Sequence, residues 1–312
     1  MNIVVTGGTG FIGRALCAAL SHGGHRMIVL TRNSRSASNI FESNILPVEW
    51  NGRDTGPLEQ ALEGADAVIN LAGASIAEAR WTHARKRLLT DSRVLTTRLL
   101  IKTLAQRSSK PTTFISASGI GYYGASDDRQ LNEESPRGQG FLADLCQAWE
   151  AEALQAAQFG SRVVILRTGM VLEQDGGALP KMLLPFRLFA GGPIMPGNQW
   201  VSWIHRKDHV GLIQWALRTT TISGPINAVA PEPVTVKTFC EILGHVLHRP
   251  SWLPIPGVAL SILLGELGTL MTTGQRVIPE KAMTEGYTFQ YPTLKSALQA
   301  ILVRRAEASQ AA

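Results

Sequence analysis

The chain has 312 residues, of which 45% are hydrophobic and 17% charged, so it can bury a large core, which excludes an intrinsically disordered protein. Its net charge is +6, from 30 Lys and Arg against 24 Asp and Glu. The basic residues are dispersed, and their densest stretch, Arg80 to Arg98, is spaced like the solvent-facing side of a helix. We therefore expect no nucleic-acid partner.

The cysteines and the apolar stretches exclude further classes. Cys17, Cys146 and Cys240 lie far apart and show neither a disulfide framework nor metal-ligand spacing, so we expect no metal site. The chain begins directly with a strand and not with a signal peptide, which favours a cytoplasmic protein. The most apolar late stretch, Val258 to Met271, is too short and too interrupted to span a bilayer, so we expect no membrane partner.

The first thirteen residues predict a strand, a tight turn and the start of a helix. The apolar run Ile3 to Val5 stops at a glycine cluster, and an amphipathic stretch, Phe11 to Leu20, follows. Glycines leave the backbone free of Cβ atoms where a diphosphate can approach, and the helix start offers unpaired N–H groups and a positive dipole end. This pattern indicates a dinucleotide site, although a turn that uses glycine only for backbone reasons is an alternative. The residues that we expect to line the cofactor here are Gly7, Thr9, Gly10, Phe11, Ile12 and Gly13.

The end of the second strand indicates which cofactor fits. The apolar run Met27 to Leu30 leads into Thr31 and Arg32, and no Asp or Glu occurs between Met27 and Phe41. An NAD site usually has a carboxylate at this point to hold the ribose hydroxyls, whereas a 2′-phosphate needs a cation. We therefore expect NADP(H) as the cofactor. The alternative is an arginine that only caps a loop.

Strands and helices then alternate along the chain. A buried strand, Ala67 to Gly73, ends in small residues that let adenosine and phosphates lie against the backbone. A helix from about Thr82 to Ala105 precedes a strand at Thr113 to Ser116. This alternation predicts an α/β fold with a doubly wound parallel sheet of the Rossmann type, and its ligands should lie at the carboxyl ends of the strands.

The loop after this fifth strand carries the candidate catalytic residues. Residues 116–124 bring hydroxyls and phenols together, and polar groups there can hydrogen-bond a carbonyl oxygen. We select Ser118, Tyr123 and Tyr122. For the tyrosines, packing against the later part of the chain, described below as the substrate lobe, is an equal alternative.

The regular alternation ends near residue 172. Phe141 to Gln158 predicts a helix, and residues 163–172 a strand that continues into a less regular segment. We divide the chain into a Rossmann domain, 1–172, completed by 205–230, a smaller substrate lobe, 173–204 and 231–303, and a polar tail, 304–312. The segment around His205 enters a helix that Asp208 could cap.

Several motifs together resemble the extended short-chain dehydrogenase/reductases, from Met1 to about Leu302. They are Thr6-Gly-Gly-Thr-Gly-Phe-Ile-Gly13, Asn70-Leu-Ala-Gly73, Ser116-Ala-Ser118 with Tyr123-Gly124, and the lobe after residue 172. More narrowly, Arg80-Trp81-Thr82, Leu166-Arg-Thr-Gly-Met-Val-Leu172, Gly191-Gly-Pro193, Trp203-Ile-His205, Arg249-Pro250 and Gly274-Gln-Arg-Val-Ile-Pro279 resemble a subgroup of NAD-dependent epimerase-like proteins of unassigned substrate.

The resemblance also implies a fuller cofactor site. Thr31 and Arg32 would hold the 2′-phosphate end, and Leu71, Ala72 and Gly73 would flank the adenosine and phosphates. Arg93 could reach the phosphates, and Met170 and Val171 would border the nicotinamide. For His205 and Asp208 a structural role is at least as well supported as a catalytic one.

One departure from the family pattern concerns proton transfer. Extended members place a tyrosine and, four residues later, a lysine on the helix after the Ser118 strand, and the lysine lowers the pKa of the phenol. This chain has Leu142 and Cys146 at the equivalent positions, and no Tyr-x-x-x-Lys occurs in residues 141–159. A leucine cannot transfer a proton, and a cysteine on the apolar face is better explained as an inert buried thiol.

The resulting hypothesis is an NADP(H)-dependent oxidoreductase or epimerase-like enzyme that acts on a small molecule with a carbonyl or hydroxyl group. Ser118 would polarise the reacting oxygen, and Tyr123 or Tyr122 would donate the proton. The alternative is a non-catalytic NADPH-binding sensor or regulator. The sequence leaves a homodimer open.

Overall fold

The computed structural model describes residues 1–41 and 44–310, with the side chains of 259, 263, 264 and 304–310 left out. Its strands, in chain order, are β1 Asn2–Thr6, β2 Arg26–Thr31, β3 Ile45–Glu49, β4 Ala67–Asn70, β5 Thr113–Gly119, β6 Gln130–Leu131, β7 Arg162–Thr168, β8 Met170–Glu173, β9 Gly176–Gly177, β10 Trp200–Val201, β11 Trp203–His205, β12 Gly224–Ala228, β13 Val234–Thr235 and β14 Arg276–Val277. Its helices are α1 Phe11–His22, α2 Ser34–Ser38, α3 Gly56–Leu62, α4 His83–Asp91, α5 Val94–Gln106, α6 Phe141–Leu154, α7 Leu179–Arg187, α8 Arg206–Arg218, α9 Val236–Leu247, α10 Gly257–Leu264, α11 Glu266–Thr272, α12 Glu280–Thr284 and α13 Leu294–Gln310, with short 3₁₀ helices at Ile120–Tyr123 and Gln155–Phe159.

The centre of the molecule is a seven-stranded sheet in the order β12-β7-β5-β4-β1-β2-β3. Every neighbouring pair in it is parallel. One core lies between the sheet and helices α1 and α8, and the second lies between the sheet and α3, α5 and α6. The predicted doubly wound Rossmann sheet is therefore confirmed, and its strand order reverses between β1 and β4, where ligands of such sheets bind.

A smaller lobe adjoins the carboxyl edge of the sheet. Its core, formed by α7, α9, α13 and the strands β8, β10 and β11, has Trp203 and Phe239 as its largest buried side chains. Its strands form short sheets, such as β11-β8-β9 and β10-β13. The smaller C-terminal lobe expected from the sequence is thus present, while the residue boundaries given for it stay a prediction.

Two local predictions need correction. The helix expected from 82 to 105 is two helices, α4 and α5, because the hydroxyl of Ser92 takes part in bonds to Ala74 N and Leu89 O at the break. Helix α8 is capped by His205, whose Nδ1 accepts from Lys207 N at 3.0 Å, and not by Asp208.

The predicted polar tail, 304–312, lies partly outside the described residues, since the backbone of α13 reaches residue 310. In the part of the chain that is described, no helix is long and apolar enough to cross a membrane.

Candidate functional site

The turn between β1 and α1 packs directly on the end of β4. Gly7 has a φ of +69°, and a methyl group on it would lie 2.7 Å from the carbonyl of Leu71. A methyl group on Gly13 would come within 2.2 Å of the Gly7 oxygen. Helix α1 then begins at Phe11 with no acidic residue in its first turn. The backbone of the turn thus packs on itself and on β4 at distances that only glycine permits. The positive end of the helix α1 dipole then lies at the edge of the sheet.

A buried polar chain holds residues 71–73 beside this turn. The hydroxyl of Thr6 donates to Asn70 Oδ1 at 2.7 Å and accepts from Ala72 N at 3.2 Å. Asn70 in turn donates to Thr97 on α5 at 2.8 Å. The ends of β1 and β4 therefore form one fixed unit with the glycine turn.

Arg93 lies immediately behind this unit. A methyl group on Gly73 would be 2.9 Å from the guanidinium carbon of Arg93. Arg93 is buried, donates to the carbonyls of Ala74 and Leu89, and lies 5.2 Å from the ring of Trp149. Burial lowers its pKa, and among the described residues no carboxylate pairs with it. A buried cation held only by neutral groups favours an anion close by, and a contact to the phosphates stays a prediction.

The end of β2 presents the candidate 2′-phosphate site. Thr31 is buried there, and its hydroxyl accepts from Asn33 N at 3.4 Å. Arg32 is exposed, and within the described residues it makes no hydrogen bond or ion pair. The acid at the end of neighbouring β3, Glu49, accepts instead from the hydroxyl of Ser34 at 3.1 Å. Arg32 is therefore free to meet an anionic group.

The start of the lobe lies against the same turn. Met170 and Val171 begin β8, and the ring of Phe11 covers the hairpin that follows, since a methyl group on Gly176 would be 2.4 Å from it. The guanidinium of Arg206 lies over the same Phe11 ring, 5.0 Å from its centre. The predicted nicotinamide residues thus lie at the junction of the turn and the lobe.

Ser118 belongs to a buried ionic network that sequence reasoning did not identify. Its hydroxyl donates to Glu150 Oε1 at 2.6 Å. Arg167 donates to both oxygens of the same carboxylate, at 3.0 and 2.9 Å. The Arg167 and Glu150 side chains are only 5% and 8% exposed. Burial is the largest influence on Arg167 and lowers its pKa, but the hydrogen bonds and charge interactions with Glu150 and Tyr123 together outweigh it, so the pKa of Arg167 is raised.

The two candidate tyrosines have different environments. Tyr123 is buried, donates to Asn227 at 2.7 Å and accepts from Arg167 at 3.0 Å, and burial raises the pKa of its phenol to about 12. Tyr122 is half-buried, and its ring lies 3.5 Å from the Arg167 guanidinium. No described residue hydrogen-bonds the Tyr122 hydroxyl. Tyr123 is thus held on both sides, whereas the Tyr122 hydroxyl has no partner among the described residues.

Helix α6 follows the Ser118 strand as expected and carries Leu142 and Cys146, for which equivalence to the usual tyrosine and lysine stays a prediction. Leu142 packs so closely on the loop that a methyl group on Gly121 would be 2.9 Å from its Cβ. Burial raises the pKa of the Cys146 thiol to about 11. This thiol stays protonated at neutral pH, which supports its reading as an inert core residue.

His205 and Asp208 contact the C-terminal segment of the lobe. His205 is stacked on Tyr291 at 4.0 Å, and burial lowers its pKa to about 4. Asp208 accepts from the backbone N–H groups of Gln290 and Tyr291 at 2.8 and 2.9 Å. Both side chains therefore tie α8 to the C-terminal segment.

Glu150 and Arg167 are the functional candidates that the sequence did not single out. Two signals were present, since Glu150 is an acid one turn beyond Cys146 on the buried face of α6, and Arg167 is a cation ending an apolar strand. A charged side chain on a buried face is almost never found without a partner. Neither signal identifies the partner.

The chain matches known proteins over nearly its whole length. The model of the NAD dependent epimerase/dehydratase family covers residues 3–228, and a domain of unknown function (DUF1731) covers residues 255–301. The epimerase family protein YfhF of Bacillus subtilis is 40% identical over 98% of this chain and 99% of its own length. The chloroplastic epimerase family protein SDR39U1 homolog of Arabidopsis thaliana is 41% identical over 97% of this chain and 87% of its own.

A solved structure extends this likeness to the fold. The human epimerase family protein SDR39U1, crystallised with NADPH, superposes with a TM-score of 0.84 at 32% identity, covering 96% of this chain and 99% of that one. The resemblance noted from the motifs is thereby confirmed. The chain belongs to the NAD-dependent epimerase/dehydratase family of extended short-chain dehydrogenase/reductases.

Proposed function

We propose that the chain is an NADP(H)-dependent oxidoreductase or epimerase-like enzyme that acts on a carbonyl or hydroxyl group of a small molecule. The observation that carries the cofactor assignment is Arg32, an exposed cation at the end of β2 where an NAD site has an acid, and one that pairs with no residue in the described part of the chain. The NADPH bound to the human relative supports the same assignment.

The residues at the sheet edge suit this cofactor. The close-packed turn from Gly7 to Gly13 and the start of α1 would receive the diphosphate, because N–H groups at a helix start bind anions. Residues 71–73, with Arg93 behind them, would flank the adenosine and phosphates, and Met170 and Val171 would border the nicotinamide. When bound, the nicotinamide supplies or accepts the hydride.

Proton handling would fall to the loop after β5. Of its two phenols, Tyr122 is the one whose hydroxyl bonds no described residue, and we assign it the role of proton donor. Tyr123 would position Tyr122 indirectly, because its hydroxyl accepts from Arg167 and the Tyr122 ring packs on the Arg167 guanidinium. Ser118 would orient a substrate hydroxyl by accepting its hydrogen bond, because the Ser118 proton is donated to Glu150, which Arg167 holds in place.

The cofactor assignment is tested by titrating NADPH and NADH calorimetrically against the Arg32→Ala variant. A lost charge-assisted hydrogen bond should weaken NADPH binding roughly 10 to 100-fold and leave NADH nearly unchanged. Arg26→Ala is the matched control, because Arg26 is an exposed arginine at the opposite end of the same strand. A preference of the wild-type protein for NADH, or equal losses for both cofactors, contradicts the assignment.

A non-catalytic NADPH-binding sensor is the second candidate, favoured by the apolar residues Leu142 and Cys146 on α6. Absorbance assays of NADPH oxidation with a panel of aldehydes, ketones and keto-sugars separate the two. An enzyme turns over at least one class of carbonyl. A sensor binds NADPH, turns over none, and changes its partner binding or association state with the redox state of the cofactor.

A further inference from the structure

The substrate lobe carries a large exposed apolar surface. Its principal side chains are Leu184, Leu188, Phe189, Trp252, Val258 and Ile262, which we call the apolar face. Trp252 is 65% exposed, and Val258 and Ile262 are 73% and 74% exposed. Large apolar side chains that gather on a surface mark an interaction site, whereas isolated ones need no explanation.

Backbone contacts join the two segments that form this face. Trp252 donates from its ring to the Phe189 carbonyl at 3.1 Å and from its backbone to Gly191 O at 3.0 Å. Further along, Met195 N donates to Ile255 O at 2.9 Å. A groove of about 650 Å³ between Met195 and helix α10 is lined by Val258 and Ile262. Residues 189–195 and 252–255 therefore run side by side, and the groove lies at the Met195 end of this pair.

Phe189, on this face, has an unusual backbone conformation. Its φ is +60°, in the left-handed region that bulky residues avoid, and yet its ring is 55% exposed. The guanidinium of Arg249 lies 4.4 Å from the ring and supports it. A phenylalanine held outward at a cost in backbone energy points to a function at the surface.

The two segments that form the face carry basic residues and no acidic ones. Residues 177–200 and 242–265 contain no Asp or Glu, while they include Lys181, Arg187 and Arg249. The acids that flank the two segments in sequence are Asp175, Asp208, Glu241 and Glu266. Of these, Asp175 is paired with Arg206 and Glu266 with Lys86. A partner for this surface should therefore be both apolar and anionic.

We propose that the apolar face docks on an anionic lipid bilayer. Tryptophan and phenylalanine flanked by arginine and lysine suit the boundary between acyl chains and anionic headgroups. A second copy of the chain fits less well, because a two-fold contact would bring two surfaces of the same positive charge together. Peripheral docking needs no membrane-spanning helix. It departs from the expectation, drawn from the sequence, of no membrane partner, and it does not depend on the proposed enzymatic function.

The test is co-sedimentation of the full-length protein with vesicles of phosphatidylcholine, alone and with phosphatidylglycerol added. Wild-type protein should bind the anionic vesicles and lose binding as salt is raised. Phe189→Asn should reduce binding about 10-fold, since asparagine accepts a positive φ but has no apolar ring. Arg187→Gln should reduce it about 5-fold and only on anionic vesicles.

Leu46→Gln, at a 59% exposed leucine on edge strand β3, is the matched control and should bind like wild type. Thermal melts verify that each variant is folded. Three outcomes overturn the proposal: no vesicle binding, self-association in solution that Phe189→Asn abolishes, or binding to polyglutamate as tight as to vesicles. The second assigns the face to another copy of the chain, and the third to an acidic protein.

Discussion

The buried pair of Glu150 and Arg167 gives the sharpest test of the site's architecture. Both side chains are almost fully buried, and two hydrogen bonds of 3.0 and 2.9 Å join them. In Glu150→Gln the amide keeps the shape but loses the charge, and its NH₂ group faces an N–H donor of Arg167 or the Ser118 hydroxyl. The variant therefore leaves an uncompensated buried cation.

Removing one partner of such a pair costs about 3 to 5 kcal/mol of unfolding free energy. With an unfolding entropy of about 2.1 cal/mol/K per residue, this cost corresponds to a fall in Tm of roughly 5 to 8 °C for a chain of this length. Differential scanning calorimetry measures it directly.

The matched control is Glu152→Gln on the same helix. Glu152 pairs with Arg98, whose side chain is 53% exposed, so water can solvate the arginine when the charge of its partner is lost. We expect a much smaller fall in Tm. If Glu150→Gln lowers Tm no more than Glu152→Gln does, the pair does not hold the site together.

Two further predictions concern the cofactor turn and Ser118. Gly10→Val should keep the fold, since a Cβ there meets only the Gly7 oxygen, at 3.1 Å, among the described residues. It should abolish the stabilisation of about 2.7 kcal/mol that NADPH gives at 100 times its Kd. Thermal melts with and without NADPH check this, and a variant that keeps the stabilisation refutes the placement of the diphosphate. Gly13→Ala is its contrast, because a Cβ there clashes with the backbone and should destabilise the apoprotein. Ser118→Ala should lower turnover in the carbonyl panel roughly 10² to 10⁴-fold with little change in NADPH affinity; unchanged turnover removes Ser118 from the mechanism.

The sheet could be predicted from the sequence because its signals are local. Apolar runs such as Ile3 to Val5 and Val163 to Leu166 show the strands, and the glycine cluster marks the turn between the first strand and helix. Their order along the chain then restricts the topology, since parallel strands need crossover helices. Local sequence periodicity is therefore enough to predict most of the sheet.

The missed features depend on residues far apart in sequence. Asp208 looks like a helix cap, but its carboxylate accepts from Gln290 and Tyr291, more than eighty positions later. The helix break at Ser92 depends on Ala74, and Arg167 could not be paired with Glu150 before β7 and α6 were placed together. Side chains with two plausible partners need the tertiary structure to select one.

The two adjacent tyrosines separate structural from chemical roles. Tyr123→Phe removes the bonds to Arg167 and Asn227 and leaves Asn227 Oδ1 without its donor, so we expect a loss of about 1 to 3 kcal/mol in stability. Tyr122→Phe keeps the ring on Arg167 and removes a hydroxyl that bonds no described residue, so its Tm should be unchanged.

Turnover should show the opposite order. If Tyr122 donates the proton, Tyr122→Phe lowers kcat roughly 10² to 10⁴-fold at unaltered Tm and NADPH affinity. Tyr123→Phe should lower kcat less once it is measured below its reduced Tm, because its phenol, with a pKa raised to about 12, is engaged on both sides. A larger kcat loss in Tyr123→Phe than in Tyr122→Phe would exchange the two roles. Equal and negligible losses in both would leave the loop without a proton donor, and the sensor would then be the better account of the chain.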